Sequence, residues 1–306
     1  MKNQTGCHQR RTGIYLITLM LASLSAPHFW AQDGSTRGVI PEEFLKARPA
    51  RQGAASKSTA VYKQTGTSFT GSLASVRAKA AGLRELGVTI WRLRPSVSTD
   101  NGARILVQEG ADTISWTPER ITSATRLHAA DRVRLSIESP QTGYLYVIDR
   151  EQYAQNKLGE ANLIFPTTRT HGGDNHVSAG HLIEIPAQDD RPSYFTLRLS
   201  RPEQAGEQLT LLVTDKPIEN LTIGPKALVL SDDQVAKWEK DWGSKVERFE
   251  MAGGGGKTWT RAEQEAGADS SRLLTQDDPA PQTIYRVATQ PDAPILVNLK
   301  LTYGAR

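Results

Sequence analysis

The chain has 306 residues, 38% of them hydrophobic and 23% charged, with a formal charge of +4. That is enough apolar material for one sizeable core, or two small ones, which excludes wholesale disorder. The ordinary glycine and proline content excludes collagen-like and proline-rich classes. The charge is unevenly spread. Residues 1–31 carry Lys2, Arg10 and Arg11 and no acid, residues 32–84 carry nine basic and three acidic residues, and residues 85–306 carry 25 basic and 30 acidic. A folded part that is net acidic lacks the cationic face that nucleic-acid binding needs, so nucleic acid is not an expected partner.

Residues 1–31 read as a signal peptide. Lys2, Arg10 and Arg11 form its basic start, and residues 14–24 (IYLITLMLASL) are an apolar run of eleven. Cleavage is expected after Ala31, with Phe29 in place of the usual small residue at −3. The alternative is an uncleaved anchor: residues 13–31 number 19, just long enough to span a bilayer, though they include Pro27 and His28. Membrane contact is expected only through this leader. The single cysteine, Cys7, lies inside it. The mature chain then has no disulfide, thiolate nucleophile or cysteine metal site, as suits a secreted or periplasmic bacterial protein with a core large enough to stand alone.

Residues 32–84 are rich in Gly, Ala, Ser, Thr, Gln and basic residues and read as a disordered, flexible basic tether, with a short helix expected near residues 73–86. Strands follow. Residues 88–95 (VTIWRLRP) and 104–109 flank an Asp100-Asn101-Gly102 turn. Residues 132–138 alternate cleanly, Val133, Leu135 and Ile137 on one face and Arg132, Arg134, Ser136 and Glu138 on the other. Further short strands are expected at 144–148, 161–166, 181–186, 194–200 and 208–214, each bounded by turn residues. A helix should start at Ser231, bury Val235, Trp238 and Trp242 on one face and stop at Gly243; a second should start at Thr260 with Glu263 in capping-box spacing. The chain should close with two strands, Thr283–Thr289 and Ile295–Tyr303, joined as a hairpin by Pro291-Asp292. The expected fold class is therefore mainly β: an antiparallel β-sandwich-like domain with one or two short helices. The expected division is a sandwich over 85–220 and, over 221–306, a helix plus C-terminal hairpin packing on it.

Residues 130–217 resemble the bacterial family called domain of unknown function 4384. A strand ending at Pro140 leads to Gly143-Tyr144-Leu145-Tyr146-Val147. Leu163-Ile164-Phe165-Pro166, Asp174-Asn175, Ala179-Gly180 and Ile185-Pro186 follow in order, and the strand over Leu209 to Val213 leads to Pro217. Gly143, Tyr144, Phe165, Pro166, Asn175, Gly180 and Pro186 carry the likeness, which spans about 90 of 306 residues. It implies a β-sandwich module with no established activity. The chain departs from the pattern in an insert, residues 151–160 (EQYAQNKLGE), between matching strands.

Candidate chemistry is sparse. His171, Asp174, His176 and His181 crowd eleven residues and are the candidate metal ligands, although five-residue steps do not put histidines on one face. Gly253-Gly254-Gly255-Gly256-Lys257-Thr258 ends like a phosphate-binding loop, but the motif's first glycine would fall at Met251, so a turn is the better reading. The pairs Asp189-Asp190, Asp232-Asp233 and Asp277-Asp278 read as solvated charge or helix-start acids. Trp238 and Trp242 read as core, with Trp116 and Trp259 left open. No catalytic residue and no cofactor is expected. The expected function is an exported, non-catalytic module that binds or scaffolds an unidentified envelope protein or polymer. The alternatives are a metal-dependent hydrolase using the 171–181 loop and a membrane-anchored accessory protein.

Overall fold

The structure is a computed structural model that describes residues 39–50, 60–70, 82–100, 102, 104–109, 112–290 and 292–304. The expected signal peptide at 1–31 lies outside the described residues, as do Asn101 and Pro291. Two β-sheets face each other across one core, so the mainly β, antiparallel sandwich architecture is confirmed.

The first sheet is organised by β2 (Gly82–Pro95), a strand long enough to take two neighbours end to end. β15 (Thr283–Thr289) borders its first half and β4 (Asp112–Arg120) its second, while β6 (Arg132–Glu138) runs along the opposite edge. Outward from these lie β14 (Lys245–Met251) and β1 (Tyr62–Phe69) on one side, and β3 (Ile105–Glu109) beyond β4. β10 (Leu182–Ile185) and β11 (Phe195–Thr196) share the far edge of β6. In the second sheet, β7 (Gly143–Gln152), β12 (Gly206–Thr214) and β16 (Ile295–Tyr303) form the centre. β8 (Ala161–Phe165), β13 (Leu228–Leu230), β9 (His176–Val177) and β5 (Arg126–Leu127) complete it, and among the described residues only the β16–β5 pair is parallel.

The alternation read from β6 holds: Val133, Leu135 and Ile137 face the core with Val147, Leu211 and Val297 from the other sheet. β12 is buried along its whole length because it has a neighbour on both edges and cover on both faces. One cover is α2 (Asp232–Trp242). The Ser231 hydroxyl accepts from the Gln234 amide at 3.2 Å, and Val235 and Trp238 pack on Tyr146, Ile148, Leu163, Leu212 and Leu296. Gly243 is required where the helix ends, since a Cβ there would meet the Thr70 and Glu239 carbonyl oxygens. α3 (Arg261–Ala268) opens with the expected Thr260–Glu263 capping box.

Four expectations need correction. The closing strands form, but they are no hairpin: β15 joins the first sheet and β16 the second, so residues 221–306 supply strands to both layers rather than packing on a finished sandwich. Parts of the expected tether are built into the fold. α1 (Val39–Ala47) buries Phe44 and Leu45, and β1 pairs with β14, because local composition does not register a partner strand 180 residues away. The helix expected near 73–86 is extended strand from Gly82 onward, with Leu86 in the core; residues 71–81 lie outside the described residues. With α1, the described residues hold three α-helices rather than one or two. β4 and β14 went unread, the first because Pro118 interrupts its pattern, the second because Val246 and Phe249 face opposite sides at odd spacing.

Candidate functional site

The four candidate metal ligands are not brought together. The His171 ring meets the Glu184 carbonyl oxygen at 2.6 Å and the edge of Phe165, and its amide donates to Asp190. Asp174 accepts from the His176 amide at 2.9 Å. His176 pairs with Tyr144 across β9–β7, ring edge on, while the His181 ring nitrogen Nδ1 meets the Ser270 carbonyl oxygen at 3.2 Å. Among the described residues no group of three or more His, Cys, Asp or Glu is placed to hold a metal ion. The physical reason is the β9 pairing, which pins the loop's middle to the sheet while its ends serve other contacts.

The resemblance residues do scaffold work. A Cβ on Gly143 would sit 2.1 Å from the Thr214 carbonyl oxygen, so only glycine admits the β7–β12 approach. Gly180 turns at a φ of +73°, and Phe165 is fully buried. The Asn175 amide donates to the Leu145 carbonyl at 2.9 Å and its backbone oxygen accepts from the Leu145 amide, locking the loop to β7. Pro166 and Pro186 follow the last residues of β8 and β10. The 253–258 segment is a turn: the Gly256 amide donates to the Arg120 carbonyl, and Gly254 lies against the Gln282 side chain where a Cβ would clash.

Each acid pair has one member in a structural bond. Asp190 accepts from the Ala187 amide, and Asp232 pairs with Arg150 at 2.7 Å. Burial pulls the Asp278 carboxyl up, but hydrogen bonds from Arg272 and Thr275 outweigh it and hold the group below its ordinary value. Of the open tryptophans, Trp259 is 1% exposed and tilts against Trp91 at 5.9 Å, whereas half-buried Trp116 carries the Arg132 guanidinium 4.0 Å from its ring centroid.

Two charge systems were not read from the sequence. The first lies on the outer face of the first sheet, where three buried ion pairs form: Arg48–Glu138 at 2.7 Å, Arg134–Glu184 at 2.8 Å, and Arg120–Glu263. Arg48, Arg120, Glu138 and Glu263 line a common cavity of about 30 Å³ with Trp91 and Ser136. Burial pushes the Glu184 carboxyl up and the Arg134 guanidinium down, each more than the partner's charge compensates. Arg134 keeps its charge because a guanidinium does not give up its proton.

The second system closes one end of the inner core. The inward row of β7 runs Leu145, Val147, then Asp149 and Glu151; Glu207 of β12 stands opposite Glu151. Glu207 is 5% exposed; its Oε1 accepts from Tyr303 Oη at 2.6 Å and Gln204 Nε2 at 2.7 Å, while Oε2 has no partner. Asp149 likewise has a buried, unpartnered Oδ1. Burial, then the neighbouring Glu151 charge, pushes Asp149 up to about 7; burial, then the Asp149 charge, pushes Glu207 up to about 8. Glu151 accepts from Tyr153 Oη at 2.5 Å and opens onto a cleft of about 870 Å³, which the 151–160 insert and the 200–203 loop build. Gln155 and Asn156 turn that insert at φ of 57° and 58°. The cleft carries Glu151, Glu160, Glu203 and Asp232 against Lys157 and Arg201. A period-two reading of 145–151 already puts Asp149 and Glu151 on the core side, which is the signal that marks them.

Comparison with protein-family models, with curated proteins and with solved structures finds no match to this chain. No helix among the described residues is long and apolar enough to cross a membrane.

Proposed function

We propose that this chain is an exported, non-catalytic β-sandwich module of the kind its resemblance to domain of unknown function 4384 suggests. It binds a cationic segment of an envelope protein or polymer at the insert cleft. The observation that carries this reading is a net acidic cleft lined by Glu151, Glu160, Glu203 and Asp232 against Lys157 and Arg201, whose Glu151 stands beside the buried Asp149 and Glu207, three carboxyls with no cationic partner among the described residues. An unpaired buried carboxyl is costly in isolation and gains when a positive group approaches.

The test is a pull-down from envelope extract at physiological salt. The native chain should recover a specific basic component, and the double substitution Glu151→Gln, Glu203→Gln should lose most of it. Recovery of nothing specific, or equal recovery by both, rejects the reading. The mass of the mature N-terminus decides separately between a cleaved leader and a retained anchor.

A further inference from the structure

The segment from α1 to Pro49 is docked on the first sheet like a bound peptide. Phe44 and Leu45 enter a cluster with Tyr62, Phe249 and Ile284. Arg48 grips the Glu138 carboxylate with two parallel bonds, Nε to Oε1 at 3.0 Å and Nη2 to Oε2 at 2.7 Å. Its Nη1 donates to the Asp278 carbonyl at 2.9 Å, and the Gln276 side chain donates to the Arg48 carbonyl at 2.9 Å. Among the described residues one main-chain bond, Gln276 amide to Pro49 carbonyl at 3.1 Å, ties this strap to another part of the chain. β1, which follows, is instead zipped to β14 along its whole length.

Two further observations bear on what the site recognises. Phe44, Ala47, Arg48 and Pro49 form one wall of a groove of about 490 Å³, and across it Leu83 and Leu273 are 60% and 46% exposed. Arg120 lines the same small cavity as Glu138, so a cation remains near Glu138 when Arg48 leaves. A planar guanidinium matches a carboxylate through two bonds where an ammonium cannot.

We propose that the Glu138 pocket and its groove are a docking site for an arginine-bearing helical segment, occupied in this chain by its own Phe44-Leu45-x-x-Arg48 strap. The strap is a releasable latch. While it is tethered in cis its local concentration is on the order of millimolar, so the same sequence in trans does not compete.

The test uses the full chain with a protease recognition site placed at residues 55–58, between the strap and β1. After cutting, a labelled peptide of residues 39–50 should exchange into the site, and the uncut chain should not bind it. The peptide carrying Arg48→Lys should bind at least tenfold more weakly, as should the cut chain carrying Glu138→Gln. Thermal unfolding of the cut chain, with excess unlabelled peptide present, confirms that the body stays folded. If the peptide binds cut and uncut chains alike, or the Arg48→Lys peptide binds as well as the native one, the pocket is not the arginine site claimed. If the cut body unfolds even with excess peptide, or exchange never occurs, the strap is a permanent part of the core and the proposal is overturned.

Discussion

The two charge systems of the sandwich differ in one respect: whether another part of the chain delivers an opposite charge. On the outer face of the first sheet, Glu138, Arg120 and Arg134 each receive a partner from a remote segment, with separations of 90, 143 and 50 residues. At the end of the inner core, Asp149, Glu151 and Glu207 receive hydroxyls and an amide but, among the described residues, no cation. Both places bury ionisable groups. In the first a delivered opposite charge offsets much of the cost; in the second no such charge offsets it, and it appears as a raised affinity for protons.

The largest predicted effect comes from breaking the first kind. Glu184→Ala leaves Arg134 charged and 1% exposed with no carboxylate bonded to it, only the Asp190 charge nearby, and should cost about 3–5 kcal/mol. Urea unfolding reads this directly, and a loss below about 1 kcal/mol would erase the contrast. Arg134→Met combined with Glu184→Leu should recover most of the loss, because removing both charges removes the desolvation they share.

Next comes the pH response of the second kind. Asp149 titrates at about 7 and Glu207 at about 8 in the folded chain, above their ordinary values. The folded state therefore holds protons that the unfolded state has released. Their contribution is fully present below about pH 4, declines as pH rises, and is lost above about pH 8. Stability should drop on the order of 2 kcal/mol between pH 5 and pH 9. Glu207→Gln should flatten most of that slope. A profile for Glu207→Gln that parallels the native one would place the titrating groups elsewhere.

A smaller effect sharpens the same point. Tyr303→Phe removes the 2.6 Å donor to Glu207. It should cost about 1 kcal/mol at pH 5 and more at pH 9, where the carboxylate is charged. Equal losses at the two pH values would mean the hydroxyl does not sense the charge. Smallest of all, Lys237→Ala breaks the exposed Lys237–Asp241 pair on α2, and should change stability by less than about 0.5 kcal/mol, shrinking further in high salt. A larger loss would show that exposure does not set the scale.

Much of the architecture is legible one segment at a time. Val133, Leu135 and Ile137 alternate, Ser231 and Thr260 sit at capping distances from Gln234 and Glu263, and Gly143 and Gly180 stand where only glycine is easy. The cleft was half legible, since the insert at 151–160 stands out and Asp149 extends an inward row. The strap was not legible at all. Lys46 to Pro49 looks like any basic linker until Glu138 and Gln276 are brought beside it.

From residue order alone came the strand-rich body, the helix starts and the strand-ending turns, because side-chain alternation and capping act over a few neighbouring positions. The allotment of β15 and β16 to opposite sheets, the scattering of His171, His176 and His181 onto separate contacts, and the arrival of Arg48 at Glu138 were settled by packing. Those outcomes depend on which distant surfaces meet, and a periodic pattern says that a face will be covered without saying by what.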